Sequence, residues 1–352
     1  MVAAVLRGVR RIGHQMAAML PRKTGGGCGI HFDARGMQFV RVTRMAPGGR
    51  LRVDAYGSAV FEDGMLNGAQ IAKPEAVARR LEEMLERLGM RVDDLQDDTI
   101  VLALPSYGLK TQVIDRPPDL PPRALRAWCE RRAAMLVPGD GGGDSRSRVG
   151  VTWADPGSHR LRLYACEAAL VDDRLAVLEL AGLRAHAIDA AHKAAHRAFR
   201  WAMREVRVLA PHEPWAAAER SGIPVALVQI DAHDIDLAVF DARGYVADVR
   251  ERLNGTDGHP EALASAVRDL LDKLSVAPLT LYVVAQQATA SELAAICESV
   301  GAVCAIAVHP FDPFGSVGPR DPSDRSGRSA GWAPSSNSAE GGEAVEAVGL
   351  RF

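Results

Sequence analysis

The sequence predicts an α/β fold of two blocks built on one plan, the first carrying a small α+β insertion. Three observations predict it. Two stretches each read as three short strands, a helix and a buried strand. Between them strands and helices alternate on a different pattern. The chain has 352 residues, enough for two domains with a real hydrophobic core.

In the first block, "GIHFDARGMQFVRV" and "LRVDAYGSAVF" supply three strands. "PEAVARRLEEMLERLG" is a helix, with Pro74 in its first turn, Val77, Leu81, Leu85 and Leu88 on one face and Gly89 as its stop. "DTIVLALP" is a buried strand. The insertion follows, over about residues 106–190. It takes in the strand "KTQVIDR", the helix "PPRALRAWCERRAAML", a Gly-rich break at "GDGGGDSRSR" and the strands "VGVTWA" and "RLRLYACE". A helix ending at Gly182 and a strand around "RAHAID" close it. In the second block "PVALVQID", "IDLAVFD" and "YVADVRE" are strands. The helix "PEALASAVRDLLDKL" aligns Leu263, Val267, Leu270 and Leu274, and "LTLYVVAQ" is the next buried strand.

The divisions expected are a leader at 1–27, the first block at 28–200, a connector at 201–223 and the second block at 224–311. A Gly/Pro/Ser-rich tail at 312–343 cannot bury enough apolar area to order itself, and 344–352 regains apolar spacing. The leader's first 24 residues hold no acid, and Val2, Val5, Leu6, Val9, Ile12, Met16 and Leu20 recur at helical spacing opposite Arg7, Arg10 and Arg11. The readings that stand are a peripheral membrane contact through residues 2–20, a frayed leader, or a helix docked on its own protein.

Composition narrows the function. A hydrophobic fraction of 47% and a charged fraction of 24% are ordinary for a globular protein. The net charge of −2 speaks against a nucleic-acid partner. Five scattered cysteines without a CxxC pair fit reduced cytoplasmic thiols better than a disulfide framework or zinc site. No window of 18 uncharged apolar residues spans a membrane.

Enzyme motifs are weak. His192 and His196 stand at i, i+4, but Lys193, Ala194 and Ala195 between them exclude an HExxH base, so a solvated helix face is expected. Asp231, Asp234 and Asp236 in "VQIDAHDIDLAVFDARG" place one carboxylate at a turn and two on a strand face, and are expected to form a solvated edge rather than a metal site. There is no GxSxG, and "GDGGGD" lacks the lysine and helix of a phosphate loop.

Along residues 28–311 and 345–352 the chain resembles the PilM family of type IV pilus assembly proteins. The resemblance rests on "GIHFDARGMQFVRV", "ALPSYGLKTQVIDRP", "YACEAALVDDRLAVLELAGLRAHAIDA", "VQIDAHDIDLAVFDARG", "AVHPF" and "AVGL", in that order. It implies an actin-like (ribonuclease H-like) fold in which two hairpins cradle the phosphates of ATP with backbone amides. Against the family pattern Gly-Ile-Asp-Ile-Gly-Ser the chain reads Gly29 to Ala34, so His31 falls on the aspartate and Asp33 on the glycine. Gln38 replaces a frequent lysine. In the second hairpin Asp231 is aligned with the aspartate and His233 with the glycine. Ala285, Gln286 and Gln287 stand where a glycine pair is usual, and a subdomain that walls the nucleotide in the family is missing before that strand.

A carboxylate at a phosphate position repels. The expectation is therefore a degenerate cleft with no cofactor, no metal and no ATP turnover. The alternative is an ATPase in which Asp33 and Asp231 hold magnesium and His233 touches phosphate.

The resemblance further implies an adaptor at the cytoplasmic side of the inner membrane, within a pilus platform of several proteins. Its partner would be the N-terminal peptide of a PilN-like membrane protein, held between the first block and the insertion at Leu104, Pro105, Lys110 and Val113. A scaffold of a type II secretion-like system is the other alternative.

Overall fold

The computed structural model describes residues 26–311 except 45–50, 118–119, 138–146, 154–158, 210–223, 232, 242–243, 254–258, 275–276, 279 and 286–287. The leader before residue 26, the Gly-rich break, most of the connector and everything after 311 lie outside the described residues, as do Gln286 and Gln287.

The first block opens with β1 (Gly27–Phe32), β2 (Gly36–Arg44) and β3 (Leu51–Val60), an antiparallel meander. After a small hairpin, β4 (Leu66–Asn67) and β5 (Gln70–Ile71), comes α1 (Pro74–Arg87). Proline in its first turn needs no amide partner, and Gly89 closes it at φ 71°. Val77, Leu81, Met84 and Leu85 are buried along one face, and Leu88 packs beside them. β6 (Thr99–Leu104) then runs parallel to β1.

The insertion contributes β7 (Lys110–Asp115), α2 (Pro122–Leu136), β8 (Ser147–Trp153) and β9 (Arg160–Glu167). Its sheet has the order β7-β9-β8, which among the described residues leaves β7 paired on one side only. Cys129, Leu161 and Leu163 form its small core, with Ile114, Leu125 and Leu136 packed around them.

Next come α3 (Ala168–Leu180), β10 (Ala187–Ala190) and α4 (Ala191–Leu209). The sequence assigns α3 and β10 to the insertion; the structure does not. β10 pairs in parallel with β6 in the main sheet, and α3 lies against α1 over the same apolar core. Residues 201–209, expected in the connector, are the second half of α4.

The second block repeats the first: β11 (Val225–Ile230), β12 (Asp234–Asp241), β13 (Gly244–Arg252), α5 (Pro260–Asp272), β14 (Thr280–Ala285), α6 (Ala290–Cys304) and β15 (Ala307–Pro310). The sheet orders β3-β2-β1-β6-β10 and β13-β12-β11-β14-β15 match strand for strand. α5 and α6 therefore correspond to α1 and α3, and each pair covers one face of its sheet. The remaining face of the second sheet packs on α4, through Phe199, Trp201 and Ala202 against Leu227, Ala238 and Phe240. α4 also touches β6 and β10, so it runs between the blocks.

Candidate functional site

The two hairpins where phosphates would be cradled share one geometry. β1 and β2 pair His31 with Gln38, and the amide of Asp33 donates to the carbonyl of Gly36 at 2.9 Å. Asp33 Oδ1 accepts from the backbone amides of Arg35 at 2.7 Å and Gly36 at 2.8 Å. In the second hairpin Gln229 pairs with Asp236, and the amide of Asp231 donates to the carbonyl of Asp234 at 3.0 Å. Asp231 Oδ1 accepts from His233 N and Asp234 N, both at 2.8 Å.

This equivalence corrects the assignment made from sequence. Asp33 and Asp231 are counterparts, and so are His31 and Gln229. If Asp33 holds the glycine position, Asp231 holds it too, and His233 lies two residues beyond. The family's aspartate position is then taken by His31 in one block and Gln229 in the other. The reason is the turn: in both blocks an aspartate ends the first strand and caps the amides that follow, an Asx turn.

The caps bear directly on anion binding. A phosphate nest needs free amides. Here two amides per hairpin already carry charge-assisted bonds to the chain's own carboxylate. At the first hairpin Gly36 is required by space, since a Cβ there would lie 2.3 Å from the carbonyl oxygen of Ala59. Its counterpart Asp234 is 7% exposed, and burial raises its carboxyl above the ordinary range. His31 Nδ1 lies 3.0 Å from the carbonyl oxygen of Ala103, an acceptor only, so that nitrogen carries the proton. Burial also pulls the His31 imidazole below its usual value, which leaves a neutral ring where the family has an acid. Ala285, at the third position, packs against the second block's core.

Between the hairpins the cleft is bridged by side chains that sequence reasoning missed. Arg250 of β13 donates to the carbonyl oxygens of Ser106 at 3.3 Å and Leu109 at 3.1 Å, in the turn that follows β6. In the same turn, the Tyr107 ring meets the His233 ring edge-on at 4.8 Å, and burial pushes its hydroxyl up to about 12. Arg162 of the insertion donates to Asp248 at 2.6 Å and to Tyr245 at 3.1 Å, while Lys193 of α4 reaches Asp248 at 2.7 Å. Tyr245 also donates to Asp248. Burial opposes the charge of Asp248, yet Lys193 and Arg162 hold its carboxyl well below the ordinary range.

His192 and His196 are not on a solvated face; they are 3% and 4% exposed. α4 is not a surface helix, so its polar stripe faces protein. His192 Nδ1 lies 3.1 Å from Ser106 Oγ, and burial drives its imidazole well below its usual value. His196 Nε2 lies 2.5 Å from Asp236 Oδ2. Asp234 and Asp236 do not form a solvated edge either, because β12 is an interior strand with β11 and β13 on its two sides. Burial opposes ionisation of Asp236, and the adjoining histidines outweigh it to lower its carboxyl. Among the described residues no group of three His, Cys, Asp or Glu side chains is placed to hold a metal.

The partner-site residues split into two kinds. Leu104 is fully buried in the first core, and Pro105 beside it is also buried. They end an interior strand, β6, and cannot line an open groove. Lys110 and Val113 are exposed on the edge strand β7, on its opposite faces.

Two sheets of one topology, facing each other across a helix with a hairpin at each inner end, define an actin-like ATPase fold. The chain belongs to the PilM family: the family described as Type IV pilus assembly protein PilM matches residues 29–265. Among solved structures, a PilM–PilN type IV pilus biogenesis complex superposes with a TM-score of 0.62 at 16% identity, covering 83% of this chain and 89% of that one. A Bacteroides thetaiotaomicron protein with an actin-like ATPase fold gives a TM-score of 0.46 at 7% identity, covering 84% and 94% of the two chains. The cytoplasmic domain of EpsL, an inner membrane component of the Vibrio cholerae type II secretion system, gives 0.39 at 12% identity, covering 74% and 82%. No curated protein sequence matches the chain. Among the described residues no helix is long and apolar enough to cross a membrane.

Proposed function

We propose that this protein is an adaptor of a type IV pilus assembly platform, working at the cytoplasmic side of the inner membrane without ATP turnover. It takes the N-terminal peptide of a PilN-like membrane protein as an added strand. The observation that carries this reading is β7, whose backbone is paired on one side only among the described residues and four of whose six side chains are exposed. An extended peptide can complete such an edge with main-chain hydrogen bonds, while Val113 offers apolar contact. The capped hairpins support the absence of turnover, because ATP would have to displace Asp33 and Asp231 from the amides they occupy.

The test is calorimetric titration of the folded chain, first with the partner's N-terminal peptide and then with ATP and magnesium. Saturable peptide binding and a flat nucleotide trace are expected. A flat peptide trace removes the adaptor reading. Micromolar nucleotide binding restores the ATPase reading, with Asp33 and Asp231 at the phosphates.

A further inference from the structure

We propose that the outer face of α2 is a contact for an anionic bilayer surface. This face is separate from β7, and the inference stands without the peptide reading.

α2 carries four arginines against one glutamate, in a chain whose net charge is −2. Its inward side buries Cys129 and Ala133 and packs the half-buried Leu125, Trp128 and Leu136 on the same core, against β8 and β9. Arg126 pairs with Glu130 at 2.9 Å. Arg123 and Arg131 are exposed and have no acidic partner among the described residues. Arg132 lies 5.5 Å above the Trp128 ring. Helical spacing sets Trp128, Arg131, Arg132 and Met135 along one flank. Met135 is 71% exposed there, an unbranched apolar side chain among cations.

Local stability does not explain Arg123. Arg123 occupies the first turn, where a cation opposes the helix dipole, and that turn holds no acid. Charge complementarity calls for an acidic surface. Trp128 packs on the insertion's core and carries Arg132 above its ring. The exposed methionine narrows the surface further, since an apolar side chain settles at the boundary of headgroups and acyl chains while arginines reach the phosphates. A purely acidic protein face would give Met135 nothing to enter.

Each cation near an anionic leaflet strengthens binding about fivefold. The experiment is co-sedimentation of the full chain with vesicles of phosphatidylcholine alone, and of phosphatidylcholine mixed with phosphatidylglycerol. Binding to the mixed vesicles only, weakened by salt, is expected. The double variant Arg131→Gln, Arg132→Gln should lose roughly twenty-five-fold of it with an unchanged unfolding midpoint, and Arg131→Lys, Arg132→Lys should keep it. Met135→Ser should weaken binding several-fold. The triple variant Arg7→Gln, Arg10→Gln, Arg11→Gln separates the leader from α2, and sensitivity to Arg131 and Arg132 should persist in it.

Equal binding to both vesicles, or binding that ignores Arg131 and Arg132, overturns the proposal. Absence of binding overturns it too, and leaves the face to an acidic protein.

Discussion

Asp33 and Asp231 make the same two hydrogen bonds in two different hairpins, each through Oδ1 to the amides two and three residues ahead. Asp33→Ala and Asp231→Ala should each therefore lose charge-assisted bonds to backbone and destabilise the chain by about 1–3 kcal/mol. Urea denaturation measures this. A variant within error of the parent would show that the caps contribute little and that the amides are free for another ligand.

Arg250 ties the second block to the turn after β6. Arg250→Met keeps much of the apolar stem but leaves the carbonyls of Ser106 and Leu109 without their donor. A cost of about 1.5–3 kcal/mol is expected, with faster amide exchange over residues 106–109. Unchanged exchange there would mean that the blocks are held by other contacts.

His192 predicts a pH dependence. Its folded-state pKa is depressed, so below the unfolded value, about 6.5, the unfolded chain binds the proton and the folded chain does not. The stability is present above that pH and falls as the solution is acidified, by up to about 1.4 kcal/mol per pH unit. Asp248 adds a second, more acidic loss: its depressed carboxyl stabilises above about 3.9 and ceases to do so as the pH drops toward the folded value. Unfolding curves between pH 7 and pH 5 test the first part, and His192→Gln should reduce that slope, leaving the share contributed by the buried His31.

Leu104 and Val113 should separate stability from binding. Leu104→Ala opens a cavity in the first core and should cost about 2–5 kcal/mol. Val113→Glu, on the exposed strand, should change stability by no more than about 0.5 kcal/mol. It should still weaken the partner peptide's binding about tenfold if that peptide pairs with β7. Equal peptide affinity in the parent and Val113→Glu would move the peptide site off β7.

The architecture was legible where periodicity and stops were strong. Val77, Leu81 and Leu85 fix α1, and the second block's strands read clearly because apolar runs are bounded by Asp231 and Gly244. The insertion's far boundary was not legible, since β10 is only four residues long and its partner β6 lies some eighty residues earlier. The hairpin correspondence was missed because the family aspartate drew Asp231 into register, whereas the turn follows the capping geometry. Asp248 and Arg250 alternate with apolar residues on β13, and that pattern reads as a wet face until another domain is laid against it. His192 and His196 read as wet for the same reason: spacing shows which face a residue occupies, not what covers it.

The ties through Arg250, Tyr107 and Arg162 have a mechanical meaning. A two-lobed body whose halves open and close around a ligand works as a jaw, and absorbs displacement at its hinge. A body stapled across the middle by its own side chains works as a strut. A displacement of the turn after β6 is then expected to carry β13 with it instead of opening a gap between the blocks.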